Sequence, residues 1–143
     1  MIHLFVPENF SPQFEVVSCF LENDGKILLL HRQGEKSEGG RWGLPAGKLE
    51  KGESREEALQ REVFEETGVT LDSTEAEFLG TLSVTHGERD FLYHTFRSKM
   101  DSLPDVILNP REHRDFCWQK ISESFSLPLV TDLDRCIRMY YPS

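Results

Sequence analysis

The sequence predicts an α/β sandwich: strand hairpins, one central helix, a second strand pair and a closing helix around a mixed sheet. Three observations carry this. Two strand-like segments flank the turn signal Asn23-Asp24-Gly25, and two more flank His86-Gly87-Glu88-Arg89. Ser54 followed by Glu57 is a capping-box pattern, which starts a helix. Near the end, Leu129, Leu133, Ile137 and Tyr140 recur at helical spacing.

Taken in order, residues 14–21 read as a strand and residues 26–31 as its hairpin return. Residues 39–52 hold half of the ten glycines. Such a run makes either a floppy loop or a close backbone approach. The central helix is expected over about 54–67, with Leu59 and Val63 as its apolar stripe. Gly68 takes the left-handed position that ends it, and Val69 folds back onto it. Residues 78–85 and 91–99 form the second hairpin. Residues 100–111, with Pro104 and Pro110, are an irregular connection. Residues 116–118 are a short strand, and the last helix is expected over about 128–141. The segment 1–12 alternates poorly and reads as an added edge strand or a contact for a second copy.

At 143 residues the chain is expected to form a single domain, 1–143. It carries 25 acidic against 16 basic residues, a net charge of −9. That balance argues against a groove that tracks nucleic-acid phosphates, so no DNA or long RNA partner is expected. The longest aliphatic run, Ile27 to Leu30, is far too short to span a membrane. Residues 1–14 show no leader pattern. Cys19, Cys117 and Cys136 are an odd set without a Cys-x-x-Cys, read as reduced thiols in a cytoplasmic protein.

The acids are unevenly placed. Between Gly47 and Val69 seven glutamates face four lysines and arginines, a third of the whole acidic excess. Glu62, Glu65 and Glu66 lie at i, i+3 and i+4, so their carboxylates share one helix face. Such a face is ordinarily just solvated. Held in a cleft, the same carboxylates repel each other and call for a cation. Oxygen-only ligands on a short arc suit Mg²⁺ or Mn²⁺. Neither a phosphate loop nor a hydrolase elbow is present. The spacing from Gly43 to Gly47 is one residue short of a P-loop, Leu49 stands where Ser/Thr would bind Mg²⁺, and Gly-x-Ser-x-Gly is absent.

The register decides between a solvated face and a metal site. Gly47, five residues, Glu53, seven residues, then Arg61-Glu62-Val63-Phe64-Glu65-Glu66-Thr67-Gly68-Val69 resembles the Nudix box, the signature of the MutT-like Nudix hydrolases. All nine specified positions match, a coincidence of order ~10⁻⁷ at average residue usage. The resemblance implies a Nudix-type α/β/α sandwich. It implies that Glu62, Glu65 and Glu66 hold Mg²⁺ or Mn²⁺, joined by the carbonyl of Ala46, and that Glu62 and Glu65 take part in catalysis. Gly47, Glu53, Arg61 and Gly68 would brace loop against helix.

The implied reaction is metal-dependent hydrolysis of a nucleoside diphosphate linked to another group. Water attacks phosphorus, and a general base takes its proton. Glu65 and Glu112 are candidates for that base, with His113 a competitor. Arg32 is a candidate contact for substrate phosphate, and Trp42 is read as packing.

Marks for two substrate classes are missing. Thr85 stands where ADP-ribose hydrolases of the family tend to carry proline. His86 and Gly87 stand where dinucleoside polyphosphate hydrolases tend to carry tyrosine. By elimination a nucleoside triphosphate, normal or oxidised, is the expected substrate. ADP-ribose or a nucleotide sugar is the alternative, and RNA 5′-end pyrophosphohydrolysis is a third reading with the same chemistry. A module that senses a nucleotide without cutting it is the alternative of another class, and the intact glutamate set argues against it. Family resemblance also allows a homodimer.

Overall fold

The computed structural model describes residues 1–72 and 74–142. In chain order the elements are β1 (Ile2–His3), β2 (Phe14–Asn23), β3 (Lys26–Arg32), β4 (Trp42–Gly43), β5 (Ala46–Lys48), α1 (Arg55–Thr67), β6 (Glu77–His86), β7 (Arg89–Lys99), β8 (His113–Lys120), α2 (Ile121–Ser124) and α3 (Leu133–Tyr140). The sheet is mixed, with β2 and β7 parallel and the remaining pairs antiparallel.

Alternation along β2 explains the three layers. Val17, Cys19 and Leu21 point to one face and join Leu28, Leu30, Phe96 and the α1 residues Ala58, Leu59 and Val63. Phe20 points to the other face and joins Ile27, Leu29, Leu133, Cys136 and Ile137 of the α3 side. Both faces of the central strands are therefore buried, the expected result of helices packed on either side.

The β2–β3 hairpin is paired only next to its turn, at Glu22–Ile27 and Asn23–Lys26. Beyond that the two strands splay. The free edge of β2 is taken by β5, with Val16, Val17 and Ser18 opposite Lys48, Gly47 and Ala46. The glycine-rich segment is thus held backbone at its second half, and the splay brings it over α1.

The central helix begins and ends where local signals place it. Ser54 and Glu57 form the reciprocal capping box, and Gly68 closes the helix with φ 73°. The last helix is shorter than expected. Leu129 bridges to Trp42 in extended pairing, and Asp132 is left-handed at φ 67°, so regular helix starts only at Leu133. The expected short strand at 116–118 is longer, because β8 runs along the whole of β3. The short helix α2 has no side-chain cap at its start and is not among the elements that the sequence pattern predicts. β1 is an edge strand on β6, with Ile2 buried. Trp42 packs as read, its ring stacked on His31 at 4.3 Å. The three cysteines are free thiols. Among the described residues no helix is long and apolar enough to cross a membrane.

Candidate active site

The buried face of α1 sets the depth of each glutamate. Leu59 and Val63 anchor the helix in the core, so Glu66, on the adjoining arc, is drawn in with them and is only 9% exposed. Its Oε1 accepts a hydrogen bond from the Ala46 backbone N–H at 2.9 Å. Ala46 therefore meets the helix through its amide, beside its implied role as a carbonyl ligand. The side chain of Glu62 is nearly as enclosed, and that of Glu65 stands at the open rim.

Arg61 joins these parts. Its Nε and Nη2 donate to the two oxygens of Glu53 at 2.7 and 2.9 Å, and Nη2 also donates to the Lys48 carbonyl at 3.0 Å. Its Nη1 donates to Glu62 at 2.7 Å and to Glu65 at 3.3 Å. The hydrogen bonds from Arg61 pull the Glu53 carboxyl down to about 2. One guanidinium thus ties the end of the loop to the acidic side of the helix.

Gly47 belongs to the same contact. A Cβ built on it would overlap the Glu62 carboxylate. Gly47→Ala places a methyl in extended backbone that alanine accepts, and the flexible Glu62 side chain can swing aside. The expected result is stability within about 1 kcal/mol of the parent. Turnover should fall by roughly 10²-fold, since displacing a reacting group by an ångström costs that much. Urea unfolding and steady-state kinetics check both halves, and unchanged kinetics would refute the role given to this contact.

The electrostatics are those of an under-neutralised acid cluster. Burial first, then the charges of Glu62 and Glu112, push the Glu66 carboxyl up to about 8 against the pull of the Ala46 amide and Arg32. Burial also raises Glu62, opposed by Arg61. Glu112 lies beside this cluster and pairs with Lys36 at 3.3 Å. Arg32 donates from Nε to the Ser37 carbonyl at 2.7 Å, and among the described residues its terminal nitrogens have no hydrogen-bond partner. His113 is buried, and desolvation together with the Arg32 charge lowers it to about 4. A group that loses its proton so readily is a weak base, which counts against His113 in that role.

A cleft of about 290 Å³ opens beside these groups. Arg32, Ala46 and His113 form the end nearest the acid cluster. Phe14, Phe91 and Tyr93 contribute aromatic wall, and His86 and Arg89 come from the β6–β7 turn. Phe14 and Phe91 stack at 4.9 Å, and Arg89 lies over the Phe14 ring at 4.5 Å. None of these wall residues was singled out from the sequence for binding. Phe14 and Phe91 meet because β2 and β7 pair in parallel, residue opposite residue. No local signal reports that pairing.

Among the described residues, no ready-made cluster of three His, Cys, Asp or Glu surrounds a single point. Arg61 donates to oxygens of Glu62 and Glu65, and the Ala46 amide donates to one of Glu66. Glu62 and Glu66 are brought together at depth, Glu65 stays at the rim, and Arg32 and Glu112 arrive from outside the box.

Comparison with known proteins agrees with this geometry. A family model described as NUDIX domain matches residues 12–140. The CTP pyrophosphohydrolase of Escherichia coli (strain K12) is 32% identical over 118 residues, covering 81% of this chain and 82% of that protein. The nucleoside triphosphatase NudI of Escherichia coli O81 is 31% identical over 117 residues, covering 76% of this chain and 82% of the relative. The crystal structure of a MutT protein from Methanosarcina mazei Go1 superposes with a TM-score of 0.77 at 26% identity, covering 92% of this chain and 97% of that one. With a complete box folded into this site and a family match over nearly its whole length, the chain belongs to the Nudix hydrolases, enzymes that act on pyrophosphate bonds.

Proposed function

We propose that this enzyme is a nucleoside triphosphate pyrophosphohydrolase that uses Mg²⁺ or Mn²⁺ and releases a nucleoside monophosphate and pyrophosphate. The observation that carries the reading is the buried Glu66 carboxylate, bonded to the amide of Ala46, which lines a cleft together with Arg32. Relatives named as a CTP pyrophosphohydrolase and a nucleoside triphosphatase support the substrate class.

The residues present fit a divalent cation. Burial first, and then the neighbouring charges of Glu62 and Glu112, hold the Glu66 carboxyl well above the ordinary carboxylate range. That is the condition a bound cation relieves. Glu62 and Glu66 would hold the ion, with Glu65 reaching it from the rim. A bound ion supplies charge neutralisation of the phosphates and a more acidic water.

The chain's own side chains do the rest. Arg32 binds a phosphate oxygen from the cleft side and orients the diphosphate. Gly47 leaves room for the Glu62 carboxylate. The aromatic wall of Phe14, Phe91 and Tyr93 receives the base and keeps water from that side. The attacking water gives its proton to Glu112 or Glu65, each of which is partly open to solvent. The bond between phosphorus and the bridging oxygen then breaks, and pyrophosphate leaves.

A substrate panel tests this reading. The normal and 8-oxo nucleoside triphosphates, ADP-ribose, nucleotide sugars and dinucleoside polyphosphates are each assayed with Mg²⁺, with Mn²⁺ and with chelator. A triphosphate should be the best substrate by kcat/KM, with no turnover in chelator. Preference for ADP-ribose, or turnover that survives chelation, would refute it.

A further inference from the structure

The pairing of β3 with β8 contains a bulge at the mouth of the site. Leu30 opposes Phe116 and His31 opposes Asp115, but Arg32 opposes His113, so Arg114 is the extra residue. Without the bulge Arg32 would face Arg114. Instead Arg114 turns to the ring of His31, with Nε 3.2 Å from Nδ1, and His113 takes the place beside Arg32 at the near end of the cleft.

The choice has a physical consequence. A second guanidinium there would be repelled by Arg32 and drawn to Glu62 and Glu66, where it would compete with a cation. A neutral imidazole does neither, yet it can still donate a hydrogen bond. His113 is 3% exposed, and its buried Nδ1 has no hydrogen-bond partner among the described residues. An unpaired buried acceptor is tolerated better than an unpaired buried donor. The ring proton therefore belongs on Nε2, the nitrogen left to reach the cleft.

We propose that His113 is a substrate-binding residue: its Nε2–H donates to a phosphate oxygen of the diphosphate beside Arg32. The proposal rests on the reading of the cleft as a diphosphate site and adds a specific donor to it. It also explains why an incompletely paired imidazole is kept in the interior, where leucine would pack without that cost.

The test uses His113→Leu and His113→Gln in the full chain. Gln carries an N–H donor at a reach similar to Nε2, and Leu removes the donor. The probe is imidodiphosphate with Mg²⁺, titrated by calorimetry, because it resists hydrolysis and lacks a base. His113→Leu should weaken its binding about 10-fold, the worth of one hydrogen bond to a charged acceptor. His113→Gln should recover most of that loss, and the melting temperature of the Leu variant should equal or exceed the parent's.

With the best triphosphate, the loss should appear in KM more than in kcat. Equal imidodiphosphate binding by parent and Leu variant overturns the proposal. So does an equal loss in both variants accompanied by a lowered melting temperature, which would make His113 a packing residue. Failure of the triphosphate reading shows separately: the parent would bind imidodiphosphate through His113 and turn over no nucleoside triphosphate.

Discussion

Glu66→Gln is expected to abolish turnover and at the same time to stabilise the metal-free protein at neutral and alkaline pH. The two effects have one origin. Glutamine keeps the acceptor for the Ala46 N–H and removes the charge. In the folded, metal-free protein Glu66 releases its proton only near pH 8, whereas an unfolded glutamate does so near ~4.3. Between those values the native state holds a proton that the unfolded state has lost, so stability falls as pH rises through the window. Below it both states are protonated and the effect vanishes. The Gln variant lacks this slope, so its stability advantage should be absent near pH 4 and grow up to about pH 8. Chemical denaturation in chelator at both ends of the window measures it. Mg²⁺ should stabilise the parent and leave the variant little changed. Turnover should fall by about 10²–10³-fold or more, because the variant loses a carboxylate proposed to hold the cation that neutralises the phosphates. A pH-independent stability difference, or near-normal turnover, would count against the role given to this carboxylate.

Arg61→Ala should produce the largest loss of stability. The side chains of Glu53 and Glu62 are 12% and 14% exposed, and Arg61 is the cation bonded to both. Its removal strands two enclosed carboxylates and frees the Lys48 carbonyl that holds the loop. Breaking a buried pair from one side costs about 3–5 kcal/mol. The partial exposure of Arg61 brings the expectation to about 2–3 kcal/mol, since solvent screens what remains. Lysine restores the charge but not the two-pronged grip on Glu53, so Arg61→Lys should recover only part of the loss. Urea unfolding of both variants at pH 7 decides the matter. A change under about 0.5 kcal/mol, the range of ordinary surface substitutions, would show that loop and helix hold together without this residue.

The two experiments separate charges that look alike in the primary structure. Glu53 and Glu66 are both glutamates of one short motif. Glu53 is paired by a guanidinium and pulled down, and Glu66 is buried without one and pushed up. Acidity on this chain is therefore of two kinds: one part is paired within the architecture, and the other is buried without a guanidinium partner. The overall charge of −9 describes neither.

Helix α1 shows how far local chemistry reaches. Its capping box, its left-handed glycine and its Leu59–Val63 stripe are contacts within a few residues, and a linear chain displays them directly. The box register likewise announces the carboxylate set and Arg61, because helical spacing alone places them on shared faces. The glycine-rich segment was ambiguous for the opposite reason. Whether it is loose or held depends on the free edge of β2, which exists only because β3 splays away.

Apolar spacing alone makes the final helix, Leu133–Tyr140, too long. The extended Leu129–Trp42 bridge claims the residues before Leu133, and that partner lies far back in the chain. The cleft wall, the depth of Glu66 and the bulge that exchanges Arg114 for His113 are of the same kind. The family, the box helix and the identity of the acidic cluster are legible in the primary structure, since each is a matter of short-range spacing. Which acids are buried, which are paired and what lines the cleft follow from burial and strand register, which depend on segments that meet from opposite ends of the chain.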